Sequence, residues 1–292
     1  MLFLAALISG IGLGSMYGLM ALGFHVTWAV SGTVNFAQGS SMMLGAVLAF
    51  AFAQGLGWPV LPAVLMALLL CALYGLVVEF VAVRPFASRG SDAWLMATVA
   101  LGLVLDNVVM FAFGKEPRGL PSPLAVSPVE IGGLGLGVYP LQLLIPLVGL
   151  ALAAALHTLA QRTRWGTAMR AVAGNPGAAR LMGIPIRRAV AIAYALSALF
   201  AGVAGVLIAP LVNVHSDMGT LFGLKAFAVA ILGGIGSAWG VVGAGLLFGI
   251  AEALVTTTLG SGWTQIVTFA LVIAALAWRP AGLFGRVDVK KV

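Results

Sequence analysis

LKAFAVAILGGIGSAWGVVGAGLLFGIAEALVTTT, residues 224–258, is too long an apolar run for one helix across a bilayer. At 1.5 Å per residue a single helix of this length reaches about 50 Å, against about 30 Å of hydrocarbon. Its middle, GGIGSAWG at 233–240, holds the glycines that interrupt a helix. The run therefore reads as two helices in series, a broken or re-entrant pair. Non-helical backbone at such depth is tolerated only where it is buried in protein or lines a cavity.

The same apolarity continues in both directions. The chain has 292 residues, 62% hydrophobic and 8% charged, with a mean hydropathy of +1.12. An ordinary globular domain carries roughly 25% charged residues, so this chain cannot solvate a globular surface. Runs of about 20 apolar residues recur, each long enough to span as a helix. Open sheets are excluded from lipid by their unpaired edges, and the alternation of a transmembrane barrel is absent. These features predict an all-α polytopic transmembrane bundle of about eight spans, with glycine-interrupted or re-entrant helices. Candidate spans lie at 2–24, 33–54, 59–83, 93–114, 138–160, 189–212, the broken stretch 224–258, and 263–280. A second interruption, SGTVNFAQGSS at 31–41, leaves open whether 33–54 crosses or folds back. The N-terminal MLFLAALISGIG lacks a basic leader and reads as a retained first span.

A net charge of +7 in a soluble protein would suggest nucleic acid. Here the basic residues collect in alternate loops, as in cytoplasmic loops beside membrane lipid, so no nucleic-acid partner is expected. Loop 161–188 holds Arg162, Arg164, Arg170, Arg180, Arg187 and Arg188 with no acid. Arg84 and Arg89 mark loop 84–92, and Arg279, Arg286, Lys290 and Lys291 mark the C-terminal tail. The positive-inside rule places these three segments in the cytoplasm and loop 115–137 outside.

Glycine, 39 residues in all, falls in patterns. Gly10, Gly14 and Gly18 share one helix face, as do Gly236 with Gly240 and Gly245 with Gly249. Small residues four apart let helices approach closely in lipid. Catalytic and metal chemistry finds little support. GxxxxGK[ST], HExxH and GxSxG are all absent, the lone Cys71 lies in an apolar run, and His25, His157 and His215 are scattered. No metal site is expected. Three acids fall within apolar runs: Glu79 near Arg84, Asp106 beside Asn107, and Glu252. An intramembrane carboxylate is either paired within the protein, with Lys225 as one available partner, or part of an ion path.

Within the most basic loop, AGNPGAARLMGIP at 173–185 is a short helix with marked ends. Asn175 caps it, Pro176 opens it, Gly183 closes it and Pro185 prevents continuation. About two turns are too few to be stable alone, so tertiary contacts or a partner must hold them. Gly177, Ala178 and Ala179 leave room for close packing, and Leu181 and Met182 offer apolar contacts. Such a helix suits a groove on a soluble partner, or the headgroup region of the membrane.

Ala178-Ala179-x-x-x-Gly183 resembles the cytoplasmic coupling motif of ABC importer permeases, Glu-Ala-Ala-x-x-x-Gly, with Gly177 in the glutamate position. WGTAMRAVAGNPGAARLMGI, SGTVNFAQGSSMMLGA and LKAFAVAILGGIGSAWGVVGAGLLFGIAEAL are similar to segments of the branched-chain amino-acid permeases of that class. The resemblance implies one permease domain over 1–292, with a coupling loop at 161–188, in the bacterial inner membrane. It implies a transport subunit that is not an enzyme and holds no cofactor, with ATP bound on two separate ATPase subunits. A second, related permease and an external substrate-binding protein complete the implied assembly. Arg170, Asn175, Gly177, Ala178, Ala179 and Gly183 would couple to the ATPases. Asn35, Gln38, Ser40, Ser41 and Asn107 are candidates for the substrate path, with helix-to-helix hydrogen bonds as their other use. A urea or short-chain amide permease, a passive channel and an ion-coupled carrier remain as alternatives.

Overall fold

The computed structural model describes residues 2–87, 90–126, 128–130 and 137–285. Helix α1 (Leu2–Ser31) is followed by α2 (Gln38–Phe50), which continues as a π-helical turn, Ala51–Gly55. Helix α3 (Val60–Val78) passes through a second π turn, Glu79–Val83, into the short α4 (Arg84–Ala87). Then come α5 (Trp94–Phe113), the single turn α6 (Pro123–Val126) and a two-residue antiparallel ladder of β1 (Val129–Glu130) with β2 (Gly137–Val138). The remainder is α7 (Pro140–Arg162), α8 (Arg164–Gly174), α9 (Pro176–Leu181), α10 (Ile186–Ile208), α11 (Met218–Gly233), α12 (Ala238–Leu259) and α13 (Ser261–Trp278).

Among the described residues, seven helices are long and apolar enough to span, and the 16-residue α11 is a shorter apolar helix. At about 24 Å, α11 falls short of the hydrocarbon thickness. The long run breaks at 234–237, where Ser237 caps α12 by accepting from the Gly240 amide at 3.1 Å. Helix α11 begins at Met218, six residues before the sequence places it. Helix α1 likewise runs on to Ser31, past the expected end near residue 24, and stops at Gly32, whose φ is +66°. His25-Val-Thr-Trp-Ala-Val contains no breaker, so α1 has no reason to end sooner.

The chain divides into two compact units. One comprises the described residues within 1–25, 123–153 and 225–292. Here α12 folds back along α11, and α1 crosses α12 on glycine. A Cβ on Gly14 would lie 2.6 Å from the Gly245 carbonyl oxygen and 2.8 Å from Leu246 Cα. Gly10 meets Gly249 and Ile250 in the same way, and Gly18 meets Val242. Gly240 abuts the Gly233 carbonyl and Phe284. Gly236 shares no packing face with Gly240: it lies in the turn before α12, with open space where a side chain would stand.

The other unit comprises the described residues within 26–122 and 154–224. Helices α2, α3 and α10 form its centre, and Ala37, Val78, Ala82, Val83 and Tyr194 make a buried cluster there. Gly45 faces the backbone of Gly202 so closely that no methyl group would fit between them. Gly39 and Gly219 meet with each carbonyl against the other's Cα. By contrast, α3, the π turn after it and α5 leave large apolar side chains exposed, among them Leu65, Leu69, Phe80, Val104, Val108 and Phe111. That is the surface a spanning helix presents to lipid.

Candidate functional site

The loop after α7 folds into two short helices. Thr163 caps α8, accepting from the Gly166 amide at 3.0 Å and donating to the Leu159 carbonyl at 2.6 Å. Helix α8 buries Gly166, Met169 and Val172 and turns Arg164, Trp165 and Arg170 outward. Asn175 then serves both helices. Its amide donates to the Ala171 carbonyl at the end of α8, and its Oδ1 accepts from the Ala178 amide at 3.0 Å to open α9. Pro176 occupies the first position of α9, where an absent N–H costs nothing.

The end of α9 is a Schellman closure. Ile184 N donates to the Ala179 carbonyl and Gly183 N to the Arg180 carbonyl, both at 3.0 Å, with Gly183 at φ +75°. An L side chain at that φ is disfavoured by about 1–2 kcal/mol. The two alanines then part company: Ala179 is buried against the protein, whereas Gly177 and Ala178 are exposed. Leu181 and Met182 stand 89% and 81% exposed at the tip. Arg162, Arg164, Arg170, Arg180, Arg187 and Arg188 are all exposed around them. Two bulky apolar side chains are thus held out on a rigid, basic knuckle.

The polar residues after α1 lead inward. Gln38 and Ser197 form a reciprocal pair 159 residues apart: Ser197 Oγ donates to Gln38 Oε1 at 2.7 Å, and Gln38 Nε2 donates to the Ser197 carbonyl at 3.0 Å. Asn35 Oδ1 accepts from the Ala37 amide at 3.1 Å, and its Nδ2 reaches Gln38 Oε1 at 3.5 Å. Ser41 donates to the Ala37 carbonyl at 2.9 Å. Asn35, Gln38 and Ser41 are fully buried; Gln38 ties α2 to α10, whereas the bonds of Asn35 and Ser41 stay at the start of α2. Ser40 and Asn107 are placed differently. Ser40 is buried and lies near Asp106, and Asn107 is exposed on a cavity while donating to the Leu103 carbonyl at 2.8 Å.

That cavity, about 350 Å³, is lined by Leu103, Asp106, Asn107 and Met110 of α5, Lys115, the His215–Asp217 segment, and Thr220 of α11. Its two loops are stapled together. Arg118 N donates to the Val214 carbonyl at 2.9 Å, and Val214 N returns a bond to Arg118 at 2.8 Å. The Arg118 guanidinium also lies 4.5 Å over the Phe113 ring, a cation–π contact that ties the loop to the end of α5.

The other intramembrane acids are paired. Glu252 accepts from Lys225 at 2.6 Å, and Lys225 also points at the Tyr17 hydroxyl at 3.4 Å. Glu79 takes a bidentate bond from Arg84, at 3.1 and 2.7 Å. The π turn between them makes that possible, because i→i+5 winding stacks residues five apart. Among the described residues no group of three His, Cys, Asp or Glu side chains could hold a metal ion.

The family model described as the branched-chain amino acid transport system / permease component matches residues 6–276. This chain belongs to that family. The high-affinity branched-chain amino acid transport system permease protein LivH of Escherichia coli K12 is 33% identical over 302 residues, covering 99% of this chain and 98% of that protein. BraD of Pseudomonas aeruginosa, carrying the same description, is 32% identical with the same coverage. A probable LivH permease of Methanocaldococcus jannaschii is 28% identical, covering 94% of this chain and 90% of that protein. Among solved structures, PsaBC from Streptococcus pneumoniae in complex with Fab aligns at 14% identity and a TM-score of 0.49, over 93% of this chain and 89% of that one.

The family match and the seven helices long enough to span, among the described residues, agree with a multi-pass membrane protein of a transport-component family. Sequence reasoning missed Ser197 as the partner of Gln38, because nothing local connects residues so far apart. It also missed the cavity's second wall. Lys115 and Asp217 were the available signal, each a charged residue at the edge of an apolar run.

Proposed function

We propose that this permease and a second permease subunit form the translocation path of an ATP-driven importer of branched-chain amino acids. Two separate ATPase subunits sit beneath the permeases, α9 docking on one of them, and an external binding protein delivers the substrate. The observation that carries this reading is the α8–α9 knuckle. It presents Leu181 and Met182 to solvent on a helix whose both ends are closed by hydrogen bonds, inside a loop without acids. A rigid, apolar-tipped peg transmits displacement, where a flexible loop would absorb it. The arginine pattern puts this knuckle, and the C-terminal tail, on the cytoplasmic side. The chain lacks a P-loop sequence, so the work comes from nucleotide states bound on other chains. The relatives named as branched-chain amino acid permeases support that substrate over urea or amides.

The test is leucine uptake into proteoliposomes holding both permeases, with ATPases inside and binding protein outside. Uptake should require internal ATP and both ATPase subunits, and Leu181→Ser with Met182→Ser should abolish it while the permeases still insert. Uphill uptake by the permeases alone on an ion gradient would overturn the proposal.

A further inference from the structure

We infer that the cavity between α5 and the His215–Asp217 segment binds the zwitterionic head of an α-amino acid, the ammonium at Asp106 and Asp217 and the carboxylate at Lys115. This deepens the importer reading and rests on it.

Two carboxylates and one ammonium share the cavity, yet among the described residues none of the three forms an ion pair. Asp106 Oδ1 is buried with no hydrogen-bond partner. A buried acceptor left unmatched is costly. Glu252 also keeps one oxygen unmatched but is charge-paired through the other, and Glu79 is paired through both, whereas Asp106 has no ion-pair partner among the described residues. Asp217 lies near enough to interact electrostatically with Asp106. Like charges at one site favour a cation between them. An alkylammonium has three donors to divide between such carboxylates, and Lys115 brings an ammonium to the same space, which His215 also lines. Leu103 and Met110 supply apolar wall for an aliphatic side chain. A volume of about 350 Å³ falls in the range of small-molecule sites. On the topology above, this end of α5 faces outward, where a binding protein would release its ligand. The Arg118–Val214 bonds keep both lining loops in register, so the charges are positioned before the ligand arrives.

Thiol protection reads the site directly. Cys71 is buried, so Thr220→Cys adds one accessible thiol at the cavity wall. With the purified permease pair, leucine should slow modification of this thiol by a charged methanethiosulfonate. Isoamylamine and isocaproate, each lacking one charge, should protect only at roughly ten- to hundredfold higher concentration. Asp106→Asn or Asp217→Asn in the same background should shift leucine protection by a similar factor, as should Lys115→Gln. Lys115→Arg should restore it in part. If leucine gives no protection while the complete complex imports it, the site is elsewhere and the importer reading stands. Should isoamylamine protect as well as leucine, the cavity is a plain cation site and the assignment of Lys115 is wrong. A complete complex that imports no leucine overturns the importer reading, and this inference with it.

Discussion

Lys225 and Glu252 allow a double-mutant cycle inside the membrane. Their side chains are only 9% and 10% exposed, and the N–O distance is 2.6 Å. At an effective dielectric near 20 the attraction is about 6 kcal/mol, against a desolvation penalty of several kcal/mol for each ion. The two nearly cancel, so the pair adds little net stability while its halves are each expensive alone. Glu252→Leu strands the ammonium beside the Tyr17 hydroxyl and ring, and Lys225→Met strands the carboxylate. Each single variant should lose about 3 kcal/mol, whereas Lys225→Met with Glu252→Leu should lie within about 1 kcal/mol of the parent. Reversible SDS titration of the purified protein in micelles measures all four corners of the cycle. Additive losses in the double variant would refute the argument, as would singles that lose under about 0.5 kcal/mol. On the ATP-driven importer proposed above, which needs no ion relay, the same double variant should keep uptake.

Three more expectations concern other parts of the fold. Asn175→Ala removes the α9 cap and should cost about 1 kcal/mol locally, which lowered uptake with unchanged thermal stability of the spans would register. Gly14→Leu forces α1 away from Gly245 and Leu246 and should cost about 1–3 kcal/mol; Gly236→Ala, in open space, should stay within about 0.5 kcal/mol, both read by SDS titration. Gln38→Leu leaves the Ser197 hydroxyl and carbonyl without their partner and should lose about 1–3 kcal/mol, with Ser197→Ala added to it costing little more.

The fold was legible where the chain breaks. Gly233 to Gly240 contains both the glycines that end α11 and the serine that caps α12, so local chemistry alone marked that turn. Helix α9 was equally plain, since Asn175, Pro176 and Gly183 each satisfy a backbone requirement within a few residues. What escaped was set by distance or left no local signal. The overlong α1 contains no breaker, and α8 hid inside a basic loop although Thr163 marks its start. The π turns at Ala51–Gly55 and Glu79–Val83 leave no signature in residue type. Gly236 showed the limit of spacing arguments: four residues from Gly240, it shares no helix with it, because the turn intervenes. Partners 159 residues apart, such as Gln38 and Ser197, are decided by how helices pack.

The contact between Gly39 and Gly219 has a mechanical consequence. Where side chains interlock, they act as teeth, and one helix moves along another only when rotamers change together. Here main chain lies against main chain, with only the root of the Met43 side chain beside Gly219. Such a seam is a plain bearing: it resists separation but offers little friction to sliding, so the start of α2 can shear past the start of α11 while the packing around it stays intact.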